Sequence, residues 1–490
     1  MATLTTDDRT TDDHTAVSAI RQQPADRRSV LGLLVLLVAT FMTALDFFIV
    51  NVAIPSMQVD LHAGTAAIQW VVAGFGLALA TGLITAGRLG DMFGRRRIFA
   101  VGLGLFTLTS VACGIAPTAW MLVVSRVLQG LSAALMGPQV LSIIQTDYAG
   151  KAQARAFSMY GLTMGIGAVF GQLIGGLLIK ADFFGLDWRT CFLINVPIGA
   201  VTLLLVPRAL TESRAPKRPR LDVTGVILST VAVVALVLPL IQGREEGWPL
   251  WTWLCLALSA LLFAEFAVHQ HRLGRRGGDP LLNTALFRER TFTIGALAQL
   301  VFWIGQASFF LVLALYLQQG RGLDALGSGL VFTAIGAGYM ITSTTAHHLA
   351  ARLGRHTISV GALGMVLGLG LLWEASHSIG TIGGLGWLVP GLFFDGLGMG
   401  MVIAPLTTTV LRGVTPQLVG SASGAVATIQ QIGGALGVAL IGIIFYDAVG
   451  SGLPESFPHA FGLGLAFLMV VETALAALVL LLPRKAAAAG

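Results

Sequence analysis

The stretch LGLLVLLVATFMTALDFFIVNVAIP, residues 31–55, contains one charged side chain, Asp46. It is longer than the roughly 20 apolar residues a helix needs to cross a hydrocarbon layer. A helix apolar on every face at this length is a membrane span, so a carboxylate sits inside one. Runs of the same kind recur along the 490-residue chain, which is 55% hydrophobic and 11% charged with a mean hydropathy of +0.82. A soluble domain has about a quarter of its residues charged. The fold class expected is an all-α integral membrane protein. Fourteen spans are predicted, over residues 31–53, 66–87, 98–116, 119–144, 156–180, 190–207, 223–242, 250–269, 292–317, 326–349, 357–374, 384–410, 420–445 and 461–482.

The first run exceeds a signal-peptide core and no small-residue cleavage site follows it, so it is expected to be retained as a span. Glycine is abundant, 61 residues. Where no water competes for backbone groups, glycine lets helices approach closely, which suits a tight bundle. Cys113, Cys191 and Cys255 lack CxxC spacing and read as packing residues. The net charge of +6 reflects topology and implies no nucleic-acid partner. With the N-terminus inside, only Lys180, Arg189, Arg244 and Arg321 fall on outer segments and Arg126 inside a span. The remaining lysines and arginines are cytoplasmic, as the positive-inside rule requires, and an even number of spans puts both termini in the cytoplasm of a multi-pass cytoplasmic-membrane protein.

Residues 1–28 read as a disordered cytoplasmic tail, 211–222 and 270–290 as basic cytoplasmic linkers, and 484–490 as a second tail. The second linker carries LLNTALF, which suits either a short interfacial helix or a solvated connection. Shifting the chain by 260 residues lays MFGRRRI at 92–98 over RLGRHTI at 352–358, and GQLIGG at 171–176 close to QIGGAL at 431–436. Two six-helix bundles follow, 29–210 and 291–483, with spans 7 and 8 inserted as a hairpin over 223–269. Duplicated six-span halves are a transporter arrangement, with the substrate site near the midplane between them.

Several motifs resemble the major facilitator superfamily, in particular its fourteen-span drug:proton antiporter branch. LDFFIVNVAIP at 45–55 is similar to the branch's first-span motif and GRLGDMFGRRRIF at 87–99 to the superfamily loop between spans 2 and 3. LVVSRVLQGLSAA at 122–134, with Arg126, Gln129 and Gly130, resembles the fourth-span motif. DWRTCFLINVPIG at 187–199 and SASGAVATIQQIGGALGVA at 421–439 resemble the branch too. The resemblance implies a proton-motive-force-driven exporter of drugs or other amphipathic, cationic or neutral small molecules, working by alternating access. It implies no ATPase partner and no cofactor other than the proton as coupling ion. A dedicated exporter of one natural product, and a non-transporting sensor or scaffold, are the alternative readings.

In the loop motif, Gly87, Gly90 and Gly94 permit close approach and a tight turn, while Asp91 and Arg95, Arg96 and Arg97 set opposite charges at the boundary. Such a cluster suits an interdomain latch, the plainer reading being a topology anchor. By helical rise Asp46 lies about 22 Å from the inner end of its span and Arg126 about 10 Å from the outer end of its own, similar depths in a core about 30 Å thick. A charge there costs about 2.5–3.5 kcal/mol, so the two should face a cavity or each other. Burial and an opposite charge act on a carboxylate in opposing senses, so Asp46 and Arg126 are candidates for proton coupling. The alternative is a permanent structural pair.

Asp395 and Glu472 are alternative coupling or cation-recognition sites near the midplane. Glu265 and Glu374 near span ends read as snorkelling side chains. Polar residues inside spans, Asn51, Gln306, Gln430 and Gln431, are expected in the substrate cavity. The fifth-span motif keeps Gly167, Gly171, Gly175 and Gly176 but has Gln172 where the family pattern has proline. Without that proline the helix is expected to be straighter, with Gln172 contacting substrate or a neighbouring helix. No metal site is expected from the His269/His271 or His347/His348 pairs, which lack a third ligand. No phosphate-binding loop or catalytic motif is present, so an enzyme is not expected.

Overall fold

A membrane offers no water to an unpaired backbone, so each apolar run closes its hydrogen bonds within itself as a helix. The computed structural model describes residues 27–148, 150–214, 222–244, 246–282, 284–380, 382–411, 414, 419–450 and 455–482. The helices are α1 (Arg27–Asp60), α2 (Thr65–Phe93), α3 (Arg95–Gly114), α4 (Ala119–Asp147), α5 (Gly150–Ala181), α6 (Asn195–Ala209) and α7 (Val223–Gln242). They continue as α8 (Leu250–Arg275), α9 (Arg290–Leu315), α10 (Ala325–Leu353), α11 (His356–Ile379), α12 (Val389–Leu411), α13 (Val419–Val449) and α14 (Ser456–Leu480). Among the described residues, 13 are long and apolar enough to cross a membrane, and the bent α5 completes 14. The expected tails, apart from Arg27 and Arg28, and most of the 211–222 linker lie outside the described residues.

The internal repeat shows in which helices touch. In the N-terminal half α2 packs on α4, α1 on α5, and α3 on α4 and α6; in the C-terminal half α10 packs on α12, α9 on α13, and α11 on α12 and α14. The halves meet along two equivalent seams, α2 with α13 and α5 with α10. The inserted hairpin lies beside the first seam, where α7 touches both α2 and α13. Its partner α8 packs chiefly on α7, to which Ser259 Oγ donates a 2.8 Å hydrogen bond at the Ala232 carbonyl. Leu250, Leu254 and Leu261 on α8 are exposed, as a lipid-facing helix requires.

Asp222 caps α7 by accepting from the Gly225 N–H at 2.9 Å, and also accepts from Gln270 Nε2 at 2.6 Å beside His269 Nε2 at 2.7 Å. Burial pushes the Asp222 carboxyl up, but those partners together hold it below its ordinary value. Gln270 Oε1 in turn accepts from the Leu282 N–H at 3.0 Å, so the second linker is tied to the hairpin. Among the described residues of its LLNTALF segment, Leu281 and Leu286 are buried against the bundle, Ala285 and Phe287 are exposed, and Thr284–Arg288 forms a 3-10 turn.

Span 5 departs from the straight helix expected without proline. α5 bends by 44° between Arg155–Ala168 and Phe170–Ala181. Glycine supplies the freedom, a recognised cause of helix kinks. A Cβ on Gly167 would lie 2.7 Å from Ala44 Cβ, and one on Gly175 2.6 Å from Ile49 Cγ1, so the bent helix lies directly on α1.

The two seams close the face opposite the one where α1 begins and α14 ends. Gly176 abuts the Ala325 carbonyl, and a Cβ on Gly329 would lie 2.6 Å from the Gln172 carbonyl. Gln319, on a π-helical turn Tyr316–Gly320 after α9, donates to Gln58 at 2.6 Å, and Lys180 pairs with Asp324 at 3.4 Å. All four contacts join one half to the other. At the other end of α5, Leu162 is exposed and Gly161 faces open space. Cysteines at Gln58 and Gln319, in a background with Cys255→Ser, are therefore expected to cross-link under mild oxidation and to arrest transport until reduced. Absence of a cross-link in folded protein would show that this face is not closed there.

Candidate functional site

Asp46 is fully buried, and α1, α2, α3, α4 and α6 all contribute to its surroundings. Arg126 Nη1 donates to Asp46 Oδ2 in a close ion pair. Gln129 Nε2 and Asn195 Nδ2 donate to Oδ1 at 2.8 and 2.9 Å. Arg126 also donates to Gln129 Oε1 at 2.7 Å and, through Nε, to the Val71 carbonyl at 3.1 Å, while Gln129 Nε2 reaches Ser110 Oγ at 2.9 Å. The guanidinium lies over the Phe75 ring, 4.3 Å from its centroid, which offsets the unpaired Nη2. The helical rise that gave the two charges similar depths thus brings them into contact.

Arg126 and Gln129 reach one carboxylate because residues three apart on a helix share a face. Gly130 turns the adjacent face to α2, where a side chain would overlap the Phe75 carbonyl. Asn195 and Ser110 were not singled out from the sequence. Asn195 left a trace as the polar residue in FLINVPIG; Ser110 left none.

Charge neutrality defines two states. Ionised Asp46 balances Arg126 in a fully buried site, and the pair must carry good hydrogen bonds to offset desolvation. A proton on Asp46 removes the counter-charge and leaves Arg126 as an uncompensated buried cation. Cycling between these states is what a proton-coupling site must do, whereas a structural pair would stay ionised.

The next two residues face the other way. Phe47, Phe48 and Asn51 line a narrow cavity between the halves with Gly76 of α2, Phe310 of α9 and Gly434 of α13. Phe48 and Phe310 meet across the seam with ring centroids 5.2 Å apart. Beyond it, toward the closed face, a cleft of ≈ 460 Å³ lies between Gln58, Arg244, Gln319 and Tyr446. Of the four residues expected in the substrate cavity, Asn51 is there, and Gln431 Oε1 faces Gly76 across the α2/α13 seam. Gln430, one residue and about 100° away around the helix, bonds Gln299 of α9 at 3.0 Å instead. Gln306 lies inside the C-terminal half against the Met365 sulfur at 3.5 Å. Neither lines the cavity.

The loop motif also differs from an interdomain latch in the arrangement described. Asp91 pairs with Arg95 at 3.0 Å, one helical turn away, while Arg96 and Arg97 approach Glu212 at 3.8 and 3.6 Å. Glu212 belongs to the linker after α6 and seats against Gly94, whose φ of +111° admits no other residue without strain. Gly90 lies against Gln139, and Gly87 3.7 Å from the Pro138 ring, on α4 of the same half. These pairs stay within the N-terminal half and its linker, because that linker returns beneath the loop.

Gln172 is fully buried, and neither amide atom has a hydrogen-bond partner on a neighbouring helix among the described residues. An unpaired buried amide costs about 1–3 kcal/mol. Gln172→Leu is expected to raise the melting temperature of the purified protein, and a lowered one would show that the amide has a partner. Asp395 and Glu472 are buried in the C-terminal half. Glu265 and Glu374 are exposed, as expected of snorkelling side chains. No group of three metal-ligating side chains occurs among the described residues.

A family model described as Major Facilitator Superfamily matches residues 36–438 and again 295–489. A "Probable actinorhodin transporter" of Streptomyces coelicolor (strain ATCC BAA-471 / A3(2) / M145) is 40% identical over 435 residues, 87% of this chain and 74% of that protein. The "Puromycin resistance protein pur8" of Streptomyces alboniger is 36% identical over 450 residues, 89% of this chain and 86% of that one. "Multidrug resistance protein Stp" of Mycobacterium tuberculosis (strain CDC 1551 / Oshkosh) is 32% identical over 428 residues, covering 86% and 76%. Among solved structures, an auto-inhibited POT family peptide transporter superposes with a TM-score of 0.67 at 15% identity, over 94% of this chain and 98% of that one. That likeness shows the fold.

Proposed function

From the premise that the chain belongs to the Major Facilitator Superfamily, as a multi-pass membrane transporter, we propose that it exports amphipathic small molecules, antibiotics or aromatic metabolites among them, in exchange for protons. The observation that carries this reading is the position of Asp46. It is held by Arg126, Gln129 and Asn195 inside the N-terminal half, one residue before Phe47 and Phe48 at the cavity between the halves. Protonation and substrate occupancy act on one helical turn of α1.

In the proposed cycle the face bearing the chain's ends is cytoplasmic, which sets most lysines and arginines inside. Substrate enters the open cytoplasmic side and stacks against Phe47, Phe48 and Phe310. Proton loss from Asp46 to the cytoplasm restores the ion pair with Arg126, and proton uptake from outside breaks it. Each event shifts α1 against α5, across Gly167, Gly171 and Gly175, and the two seams open or close in response. One proton falling through about 150 mV releases roughly 3.4 kcal/mol, enough for about a 300-fold gradient of an uncharged compound. No ATPase partner is needed.

The relatives named for a single compound, actinorhodin or puromycin, favour a narrower reading in which one natural product is the physiological cargo. Counterflow tests the shared part of both. Proteoliposomes preloaded with unlabelled puromycin, ethidium or an anthraquinone should show transient accumulation of the labelled compound. No exchange above protein-free liposomes with any of the three would refute export.

A further inference from the structure

Asp395 of α12 and Glu472 of α14 are both 2% exposed and lie in the C-terminal half, away from the Asp46 network. Their chains are brought level by α11. A Cβ on Gly368 would lie 2.6 Å from the Asp395 backbone nitrogen, and one on Gly370 would lie 4.0 Å from the sulfur of Met469, less than a turn before Glu472. The Glu472 carboxylate seats against Gly305 of α9, where any side chain would displace it. The next residue, Gln306, donates only to the Met365 sulfur.

The accounting of donors and acceptors at this place does not balance. Asp395 Oδ2, Glu472 Oε2 and Gln306 Oε1 are buried without a hydrogen-bond partner among the described residues. The Asp395 charge acts on Glu472, and among the described residues no other charged side chain of α9, α10, α11 or α13 acts on either. Two carboxylates buried this deeply, each with an oxygen unpartnered among the described residues, are not both ionised. What the cluster lacks is donors, and protons supply them.

We propose that Asp395 and Glu472 form a second proton-binding site, in the C-terminal half, so that a full transport cycle carries more than one proton. Coupling through this site rests on the antiport reading above, whereas proton occupancy does not. The rotational repeat of the halves gives the site its route. α9, which carries Gly305 against Glu472, is the repeat partner of α1, and its Phe310 lines the same central cavity as Phe48. Movement of α9 in the rocking step exposes the pair as movement of α1 exposes Asp46. Two protons instead of one raise the limiting gradient of an uncharged substrate from about 300-fold to about 10⁵-fold.

Infrared titration of the full-length protein in detergent tests occupancy without any substrate. A protonated-carboxyl band is expected to persist at pH 7, to shrink in both Asp395→Asn and Glu472→Gln, and to remain in Asp46→Asn. The amide variants mimic the protonated side chains, and a single symmetric peak in size-exclusion chromatography confirms that they fold. A band unchanged by both substitutions overturns the proposal. The proton-to-substrate ratio, measured in proteoliposomes from the reversal potential for ethidium, tests coupling: it is expected to fall by one in the double variant. An unchanged ratio overturns coupling through this pair. A band that shrinks in both variants of a protein that moves no compound at all would refute antiport and leave the proton site standing.

Discussion

Arg126→Ala is expected to destabilise the protein by about 3–5 kcal/mol and to abolish transport, the largest effect of any single side chain in the N-terminal half. The magnitude follows from removing one partner of a buried ion pair, which leaves the other charge uncompensated. Asp46 would retain only Gln129 and Asn195, two neutral donors that cannot replace a guanidinium. Protonation of Asp46 is its way out, so the variant should lose less stability in acid than at neutral pH. Asp46→Asn/Arg126→Gln, which removes both charges, should recover much of the stability and none of the coupling. Thermal unfolding in detergent at two pH values checks each statement. Equal melting temperatures for wild type and Arg126→Ala would mean that the buried pair carries no net electrostatic weight.

The second large effect is expected at the closed face. Gly176→Val places a branched side chain where the Ala325 carbonyl already leaves no room for a Cβ. Overpacking of this kind costs about 1–3 kcal/mol. Because the clash exists only when the α5/α10 seam is shut, the cost falls on one state and shifts the equilibrium by about 5- to 150-fold toward the other. The variant should therefore fold, bind substrate from outside and export slowly. Labelling of a cysteine at Asn51 by a membrane-impermeant reagent from the outer side should rise accordingly. Unaltered labelling together with unaltered export would show that the seam tolerates a side chain and does not seal the face.

Much of this was legible in the sequence for a simple reason: a charge in hydrocarbon is costly enough that its presence is information. Asp46 and Arg126 could be placed by helical rise alone, and the 260-residue shift laid MFGRRRI over RLGRHTI and so marked two six-helix halves. Azimuth was harder to read. Gln430 and Gln431 look alike in sequence, yet one turns into the C-terminal half and the other to the seam, and only packing decides which. Ser110 and Asn195 join the Asp46 network through tertiary contact and have no local signature. The bend in α5 was misread because proline was taken as its cause, whereas the glycines suffice. Glu212 was visible as an acidic residue in a basic linker, but only the return of that linker beneath the loop shows it beside Arg96 and Arg97.

The most direct measurement is proton release from energised everted membrane vesicles on adding puromycin, ethidium or an anthraquinone, comparing wild type with Asp46→Asn. The variant keeps the volume of the side chain, removes its ability to ionise and replaces one acceptor oxygen by an NH2 donor. Release in wild type that vanishes in Asp46→Asn is the expected result and identifies the carboxylate that exchanges its proton with substrate. Undiminished release in the variant would contradict it and leave Asp46 and Arg126 as a structural pair.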